Sequence, residues 1–381
     1  MKLENLETTL REWRRYLHEN PEFGFEEKNT SAFVVSKLKE MGFEVIEEGV
    51  GGTGVVATLT RGKGPRTIAF RADMDCLKIH ETTNLPYASK SEGLMHACGH
   101  DGHTTMLLGA AATLIQDDDF DGTIRFVFQP AEEWGQGMKA MIKDGLGTRL
   151  GFDEIYGLHN KPGLPVGAFE IREGAFMGAE DGFEIKVTGS GGHASRPQDC
   201  RDAILCASAI VTELQTIVSR NIDPSELAVV SVTGIEGSNI KNAIASEAFI
   251  EGDCRHFNDD VSQNIETAMK RIAKGVATAH ACDVEVKYER VFVPLINEPS
   301  ATQHSLAAAR EVFGEAQVND DAPKMGASED FAQVLGFGNG AFGFIGNGNS
   351  AALHSPEYDF NDEALMNGVN WFVEVARSRL S

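Results

Sequence analysis

The chain has 381 residues, of which 42% are hydrophobic and 24% charged, a composition typical of a globular protein. Its 57 acidic residues outnumber 34 basic ones, and a net charge of −23 argues against nucleic acids and anionic membranes as partners, because both would repel such a surface. No stretch approaches the ~20 apolar residues that span a bilayer. The length exceeds the ~250–300 residues at which single cores usually split, which predicts two domains.

The cysteines and the N-terminal segment favour a cytoplasmic location. The six cysteines lack the regular spacing of a disulfide framework, as is typical of a reducing compartment. The first residues carry acidic side chains inside their only apolar stripe, which matches neither a signal peptide nor a transit peptide. We therefore predict a cytoplasmic protein.

The first part of the chain alternates between predicted helices and strands. Apolar residues at helical spacing predict helices over 3–19 and 30–41, and Asp101 is predicted to be the N-cap of a buried helix. Short apolar runs predict the strands 43–46, 54–59, 67–70, 124–128 and 155–158. This alternation predicts an α/β fold with polar residues collected at the ends of strands in a mixed sheet.

The pattern changes near residue 180. Strand, helix, strand, strand, helix and strand follow one another, at 183–187, 202–219, 227–233, 248–253, 261–280 and 284–288. The chain then returns to a helix, a strand at 341–345 and a final helix at 363–380. We predict a discontinuous domain, 1–180 and 293–381, interrupted by a smaller α+β domain, 181–292.

The segment L-M-H-A-C-G-H-D-G-H-T-T contains an unusual density of metal-binding side chains. His96, Cys98, His100, Asp101 and His103 all lie in it. Imidazole and thiolate suit zinc and its first-row neighbours better than calcium or magnesium. Because Cys98 and His100 are two residues apart in a loop, both can point to the same side.

Further candidate ligands follow predicted strands, where open α/β sheets bind their ligands. Asp73 and Asp75 follow the strand 67–70, the pair Glu132–Glu133 follows 124–128, and His159 follows 155–158. Together with Cys98 and His100, the glutamate pair, His159 and His354 supply one thiolate, three imidazoles and a carboxylate. Such a set suits two metal ions that share a ligand or a water molecule.

The two adjacent glutamates suggest a division of roles. Successive side chains of an extended backbone point apart, so one carboxylate can bind metal while the other faces the cleft. The second can act as general base, taking a proton from water and passing it to the leaving amine.

Six motifs occur in a defined order: H-A-C-G-H-D-G-H-T, Q-P-A-E-E, G-L-H-N, G-G-H-A-S-R-P, S-E-D-F and L-H-S-P-E-Y-D-F-N-D. In these motifs the chain resembles, over essentially its whole length, the bacterial hippurate hydrolase and N-acyl-amino-acid amidohydrolase family, to which plant auxin-conjugate hydrolases also belong. The resemblance implies a metal-dependent enzyme that cleaves N-acetyl or N-benzoyl amino acids. It also implies a catalytic α/β domain and a smaller α+β lid domain that often mediates dimerisation, so we expect a homodimer or a higher homo-oligomer.

The resemblance also implies the roles of individual residues. Glu132 matches the family's catalytic base. The ligands of a binuclear centre for zinc, manganese, cobalt or nickel match Cys98, His100, Glu133, His159 and His354. Supporting positions behind these ligands are expected for Asp73, Asp75, His96, Asp101 and His103.

In the predicted lid domain the substrate-binding residues of the family match His193, Asn242 and Arg255. An arginine can hold a substrate carboxylate through two parallel hydrogen bonds, and His193 is placed to stabilise the oxyanion of the reaction. Ala245 and Ser246 stand where the family usually has proline and aspartate, which predicts a looser loop.

Two alternatives remain open from the sequence. A dipeptidase or carboxypeptidase would use the same metal centre, because peptide bonds and acyl amide bonds react alike. A non-catalytic metal- or ligand-binding protein would need the ligands but no spare carboxylate beside them, and Glu132 is such a carboxylate.

Overall fold

The computed structural model of the protein describes residues 5–238 and 240–381. Its helices, in chain order, are α1 (Leu6–Glu19), α2 (Lys28–Met41), α3 (His100–Leu114), α4 (Gly137–Lys143), α5 (Ala203–Leu214), α6 (Thr216–Asn221), α7 (Asp259–Ala279), α8 (Pro299–Phe313) and α9 (Leu365–Leu380). Its strands are β1 (Val45–Val50), β2 (Gly54–Arg61), β3 (Thr67–Asp73), β4 (Gly122–Gln129), β5 (Glu154–Lys161), β6 (Phe169–Glu170), β7 (Gly174–Met177), β8 (Ala179–Thr188), β9 (Gly192–His193), β10 (Ala228–Glu236), β11 (Ala243–Ile244), β12 (Glu247–His256), β13 (Asp283–Phe292), β14 (Leu295–Asn297), β15 (Val318–Asn319) and β16 (Asn339–Gly346).

The chain divides into two units. The second unit consists of Met177–Leu295 and the short segment Lys324–Glu329, and the remaining described residues form the first unit. The sequence places 324–329 in the larger domain, whereas the structure assigns them to the second unit. The reason lies in the backbone, because the N–H of Gly178 donates to the carbonyls of Met325 and Ala327 at 2.9 Å each. That the units are a catalytic domain and a lid domain stays a prediction.

The first unit is built on an eight-stranded sheet in the order β1-β2-β4-β3-β5-β16-β6-β15. Strand β3 pairs in parallel with β4 and β5, and β16 pairs in parallel with β5, while β1, β2 and β4 pair antiparallel. The prediction of an α/β fold with a mixed sheet is therefore confirmed. Helix α3 is buried on nearly all sides, so it lies within the core rather than on the surface of the unit.

The parallel strands bring polar side chains to one edge of this sheet. Asp73 and Gln129 lie opposite each other at the carboxyl ends of β3 and β4. His159 and Asn160 were expected after a strand that ends at residue 158, but β5 continues to Lys161 because β16 stays hydrogen-bonded to it up to Gly346. His159 and Asn160 therefore lie within β5, not after it.

Two helix predictions are wrong in detail. Helix α3 begins at His100, and its N-cap is Gly99 with φ +91°, not Asp101. The carboxylate of Asp101 is instead paired with a buried histidine, as described below. The single helix expected over 202–219 is interrupted at Gln215, so that it becomes α5 and α6.

The second unit has a four-stranded antiparallel sheet in the order β10-β12-β8-β13. Residues on β8 and β12 alternate between buried and more exposed positions, and the buried ones pack with residues of α5 and α7. The opposite face of the sheet carries Val229, Phe249 and charged side chains in exposed positions. Arg255 lies inside β12, not after the strand as expected, because β8 pairs with β12 as far as His256.

No helix within the described residues has the length and apolar character needed to cross a membrane.

A buried ion pair joins α1 to α3. Nδ1 of His18 lies 2.8 Å from Oδ2 of Asp101, and Nε2 of His18 lies 3.4 Å from Glu81. Burial lowers the pKa of His18, but its hydrogen bonds to Asp101 and Glu81 outweigh this effect and raise the pKa to about 9. The imidazole ring is therefore charged at neutral pH.

This pair predicts a pH-dependent stability. A histidine whose pKa is raised on folding stabilises the protein below its unfolded pKa of ~6.5, and this contribution disappears as the pH rises through about 9. His18→Gln should therefore lower the free energy of unfolding by about 3 kcal/mol more at pH 6 than at pH 10. Chemical denaturation at both pH values measures this difference, with the exposed His80→Gln as control. Equal losses at the two pH values would contradict the charged state of His18.

Candidate metal centre

The loop between Cys98 and His100 turns sharply at Gly99. Gly99 has φ +91°, and a Cβ there would lie 2.3 Å from Oδ1 of Asn160, so glycine is required on two grounds. The turn leads directly into α3 and directs Cys98 and His100 toward the end of β5. The Sγ atom of Cys98 lies 3.4 Å from Nε2 of His159.

His159 presents the nitrogen that a metal requires. Its Nδ1 lies 2.7 Å from the carbonyl oxygen of Asn160, so Nδ1 carries the proton and Nε2 is left with its lone pair directed toward Cys98. Burial lowers the pKa of His159 well below its ordinary range. The ring is thus neutral, which is the form that binds metal ions.

A short turn after β4 positions the two glutamates. Glu132 and Glu133 belong to the 3₁₀ turn Glu132–Trp134, and Ala131 before it has φ +47°, a conformation that is strained for a residue other than glycine. The backbone N–H of Ala131 donates to the buried Glu27 at 2.9 Å. Because this turn is not extended, the alternation of side chains assumed from the sequence does not apply. Ligand atoms of His100, Glu132 and Glu133 all lie within 4.8 Å of one another.

His100 and Glu133 each direct an unsatisfied atom toward this region. Nδ1 of His100 lies 3.2 Å from Asp75, and its Nε2 lies 3.9 Å from Oε1 of Glu133. Within the described residues, neither Nε2 of His100 nor Oε1 of Glu133 has a hydrogen-bond partner, although both are buried. Leaving buried polar atoms unpaired costs about 1–3 kcal/mol each, and a cation bound between them would remove that cost.

His354 reaches the same cluster from a different part of the chain. Its backbone has φ +62°, and its N–H donates to the carbonyl of Ala97 at 2.8 Å, which ties it to the metal-binding loop. Its Nε2 lies 3.6 Å from Oε2 of Glu133. Cys98 belongs both to a compact group with His100 and His159 and to one with Glu133 and His354. All five predicted ligands therefore converge, and a thiolate, three imidazoles and a carboxylate fit a pair of divalent transition-metal ions.

The electrostatics of the cluster also favour cations. Burial raises the pKa of Glu133 to about 7, an effect opposed by His100 and reinforced by Asp75 and Asp73. Burial lowers the pKa of His100, but the charges of Asp73, Asp75 and Glu133 outweigh it and raise the pKa to about 10. The site thus holds more carboxylates than its own cations neutralise.

The predicted supporting residues differ in how closely they approach the ligands. Asp75 contacts two of them, through Nδ1 of His100 and through the backbone N–H of Glu133 at 3.2 Å. Asp73 lies 2.7 Å from Nδ1 of His103 and 3.7 Å from Nε2 of His100. Nε2 of His103 lies 2.7 Å from Oδ1 of Asn160, so His103 connects the ends of β3 and β5.

The contacts of His96 and Asp101 lie toward helix α1. The carboxylate of Asp101 is paired with Nδ1 of His18 at 2.8 Å. His96 is buried, and neither of its ring nitrogens has a hydrogen-bond partner in the described part of the chain. Burial lowers the pKa of His96 to about 4. Its ring centroid lies 6.4 Å from that of His18, which places it on the α1 side of the loop.

A buried network behind the cluster was not predicted from the sequence. Arg71 bonds to Asp73 at 2.8 Å and to Asp330 at 3.1 Å. Asp330 also accepts hydrogen bonds from Gln129 and from the backbone N–H of Met138, and its own N–H lies 3.4 Å from Oε1 of Glu132. Asp330 belongs to the S-E-D-F motif, whose sequence alone indicates no chemical role.

The predicted substrate-binding residues lie in the second unit. His193 pairs with Ala243 in the ribbon formed by β9 and β11, and the carbonyl of Asn242 accepts a hydrogen bond from Ala194 at 3.0 Å. The structure thus brings His193 and Asn242 together. In the described residues no hydrogen bond or ion pair joins Arg255 to either of them.

The loop around Ala245 and Ser246 makes defined contacts. Ala245 is buried, and the carbonyl of Ser246 accepts a hydrogen bond from the N–H of Gly189 at 2.7 Å. Whether the loop is looser than in related proteins stays a prediction.

Asp75→Asn should weaken metal binding by about 10- to 100-fold, the usual effect of removing a carboxylate that orients a histidine ligand. The amide cannot accept from Nδ1 of His100 with the same strength, so the ring loses its fixed tautomer. Competition with a chelator measures the affinity. Asp153→Asn is the control, since within the described residues its carboxylate accepts from the N–H of Thr67, at the end of β3 opposite to Asp73. Unchanged affinity would show that Asp75 has no part in the site.

Comparison with known proteins agrees with this geometry. The model of peptidase family M20/M25/M40 matches residues 69–378, and the chain belongs to this family. The chain is 40% identical over 363 residues to hippurate hydrolase of Campylobacter jejuni, covering 95% of this chain and 94% of that protein. It is 38% identical over 382 residues to N-acetyl-L-cysteine deacetylase of Bacillus subtilis, covering 100% of this chain and 90% of that protein.

The fold is also found in a solved structure. The Bacillus subtilis YXEP protein, a dinuclear metal binding peptidase from the M20 family, superposes with a TM-score of 0.87 at 34% identity, covering 98% of each chain. The family resemblance predicted from the six motifs is confirmed.

Proposed function

We propose that the protein is a metal-dependent amidohydrolase that cleaves the amide bond of N-acyl amino acids, such as N-acetyl or N-benzoyl derivatives. Two divalent cations would be held by Cys98, His100, Glu133, His159 and His354. The observation that carries the proposal is the position of Glu132, a buried carboxylate within 4.8 Å of the ligand atoms of His100 and Glu133. The names of the hippurate hydrolase and of the N-acetyl-L-cysteine deacetylase support the same reaction class.

The chain's own residues account for the proton transfers. When bound, the cations supply Lewis acidity at the amide carbonyl and lower the pKa of water toward neutrality. Glu132 accepts a proton from the attacking water and delivers it to the amide nitrogen as the C–N bond breaks, so that one carboxylate serves both steps. Arg255 is assigned to the substrate carboxylate, and His193 with Asn242 is assigned to the carbonyl oxygen as negative charge develops there.

The test is release of free amino acid from N-acetyl and N-benzoyl amino acids, with and without a chelator, next to a panel of dipeptides. We expect release that stops on chelation and returns when metal is restored. Release that continues without metal would refute the proposed chemistry, and faster cleavage of dipeptides would assign the protein to the peptidases instead. Metal analysis of freshly purified protein identifies the ions, for which zinc, manganese, cobalt and nickel are the candidates.

Location and assembly complete the proposal. None of the six cysteines, all of which lie in the described part of the chain, forms a disulfide, which supports a reducing compartment such as the cytoplasm. Strand β10 is an edge of the second unit's sheet and exposes Val229 and Ile235, each about half accessible. An exposed apolar edge strand invites pairing with a second copy, so we propose a homodimer. Light scattering should give twice the chain mass for the wild type and a monomer for Val229→Asp, and a monomeric wild type would refute the dimer.

A further inference from the structure

Arg255, the residue assigned to the substrate carboxylate, lies between two carboxylates. It pairs with Glu180 across β12 and β8, and its Nη2 lies 2.7 Å from Oε2 of Glu180. Asp253 precedes it by two residues on the same face of β12, and Oδ1 of Asp253 accepts from Nε at 2.9 Å. We call Glu180 and Asp253 the acidic pair.

The guanidinium group is not saturated by these contacts. Nη1 of Arg255 donates to the hydroxyl of Ser328 at 2.9 Å, so three of its five N–H donors are used. One donor remains on each terminal nitrogen, which suffices for one further carboxylate. In the described residues no hydrogen bond or ion pair engages Oε1 of Glu180 or Oδ2 of Asp253. The three side chains are 27–31% accessible, so a ligand can reach them.

The cluster carries one positive and two negative charges. A ligand that brings only a carboxylate would place three carboxylates around a single guanidinium, and the like charges would repel each other. A ligand that also brings an ammonium group would satisfy the open oxygens of the acidic pair while its carboxylate takes the open donors. Burial raises the pKa of Glu180, Arg255 lowers it and Asp253 raises it again.

The sheet leaves room for an ammonium group beside Asp253. Its partner on β8 is Gly182, and a Cβ built on Gly182 would have no heavy atom within 4 Å. A purely structural ion pair would leave this face equally open. An ordinary surface pair would also contribute little to stability, about 0–1 kcal/mol.

We propose that Glu180 and Asp253 determine substrate specificity by selecting N-acyl amino acids whose side chain carries an ammonium group, as in short diamino acids. This inference rests on the proposed function, because it takes Arg255 as the residue that binds the substrate carboxylate. Arg255 holds the carboxylate, and the acidic pair holds the side-chain ammonium through charge-assisted hydrogen bonds.

The test compares Nα-acetyl-L-ornithine with Nα-acetyl-L-norvaline, whose side chains differ essentially by the ammonium group. The full-length, metal-loaded wild type should have a kcat/KM at least about 10-fold higher for the ornithine derivative, the scale of one charge-assisted hydrogen bond. Glu180→Gln and Asp253→Asn should each remove about 10-fold of that preference. The matched control is Glu184→Gln, which lies on the same face of β8 and should change neither rate.

Binding of the products ornithine and norvaline is measured on the same samples by calorimetry, with thermal unfolding as a check that each variant is folded. Equal rates and equal binding for the two compounds, unaffected by Glu180→Gln or Asp253→Asn, would overturn the specificity proposal while amide cleavage stands. Selective binding of ornithine that depends on the acidic pair, without cleavage of either acetyl compound, would support the inference and overturn the proposed function.

Discussion

Glu132→Gln is expected to abolish nearly all turnover, lowering kcat by about 10²- to 10⁴-fold, while the protein keeps its metal. Glutamine has almost the same shape as glutamate and can still accept the hydrogen bond from the N–H of Asp330, now 3.4 Å from Oε1. It cannot accept and return a proton near neutral pH. The loss should therefore appear in kcat and not in metal content or in the free energy of unfolding.

The measurement is steady-state hydrolysis of an N-acetyl amino acid, combined with metal analysis of the same sample. Glu26→Gln, an exposed glutamate from the N-terminal E-F-G-F-E-E segment, is the control and should behave as wild type. If a fully metal-loaded Glu132→Gln variant turned over within tenfold of the wild type, Glu132 would not be the general base.

Cys98→Ser is expected to have the second largest effect. Cys98 belongs to both compact ligand groups, so its loss affects both candidate cation positions. A serine hydroxyl is a much poorer ligand than a thiolate for zinc and its neighbours. We expect metal affinity to fall by more than about 100-fold, since removing even an outer residue of a site commonly costs 10- to 100-fold.

Metal content after dialysis and activity at saturating metal together measure this effect. Cys76→Ala provides the matched control, because Cys76 is also a buried cysteine outside any disulfide but, among the described residues, belongs to none of the compact ligand groups. A Cys98→Ser variant that retains two ions per chain would contradict the proposed ligand set.

The candidate ligands could be predicted because their side chains are chemically distinctive and stand in short motifs. Cys98 and His100 are separated by one glycine, and the turn that this glycine requires is a local property of the sequence. The order of strands in the sheet then brings His159 and the two glutamates to the same edge. The relative positions of Cys98, His100 and His159 therefore depend on local sequence and strand order, whereas the conformation of the glutamate turn does not.

The supporting network could not be predicted in the same way. Arg71 and Asp330 are 259 residues apart in the chain, and no spacing rule links a buried arginine to an aspartate at that distance. The sequence also suggested that Glu132 and Glu133 alternate, whereas Ala131 adopts a left-handed conformation and starts a 3₁₀ turn. That conformation is held by Glu27, more than one hundred residues earlier, and is therefore a tertiary effect.

The division of the chain between the two units has a consequence for synthesis on the ribosome. The hydrogen bonds of Gly178 need Met325 and Ala327, so the second unit gains these contacts only after the segment Lys324–Glu329 has emerged. The sheet of the first unit is completed later still. Its strand β16 pairs with β5 and β6 and is made after residue 338. The eight-stranded sheet therefore becomes complete only near the end of translation, and a truncated chain would expose unpaired strand edges that favour aggregation.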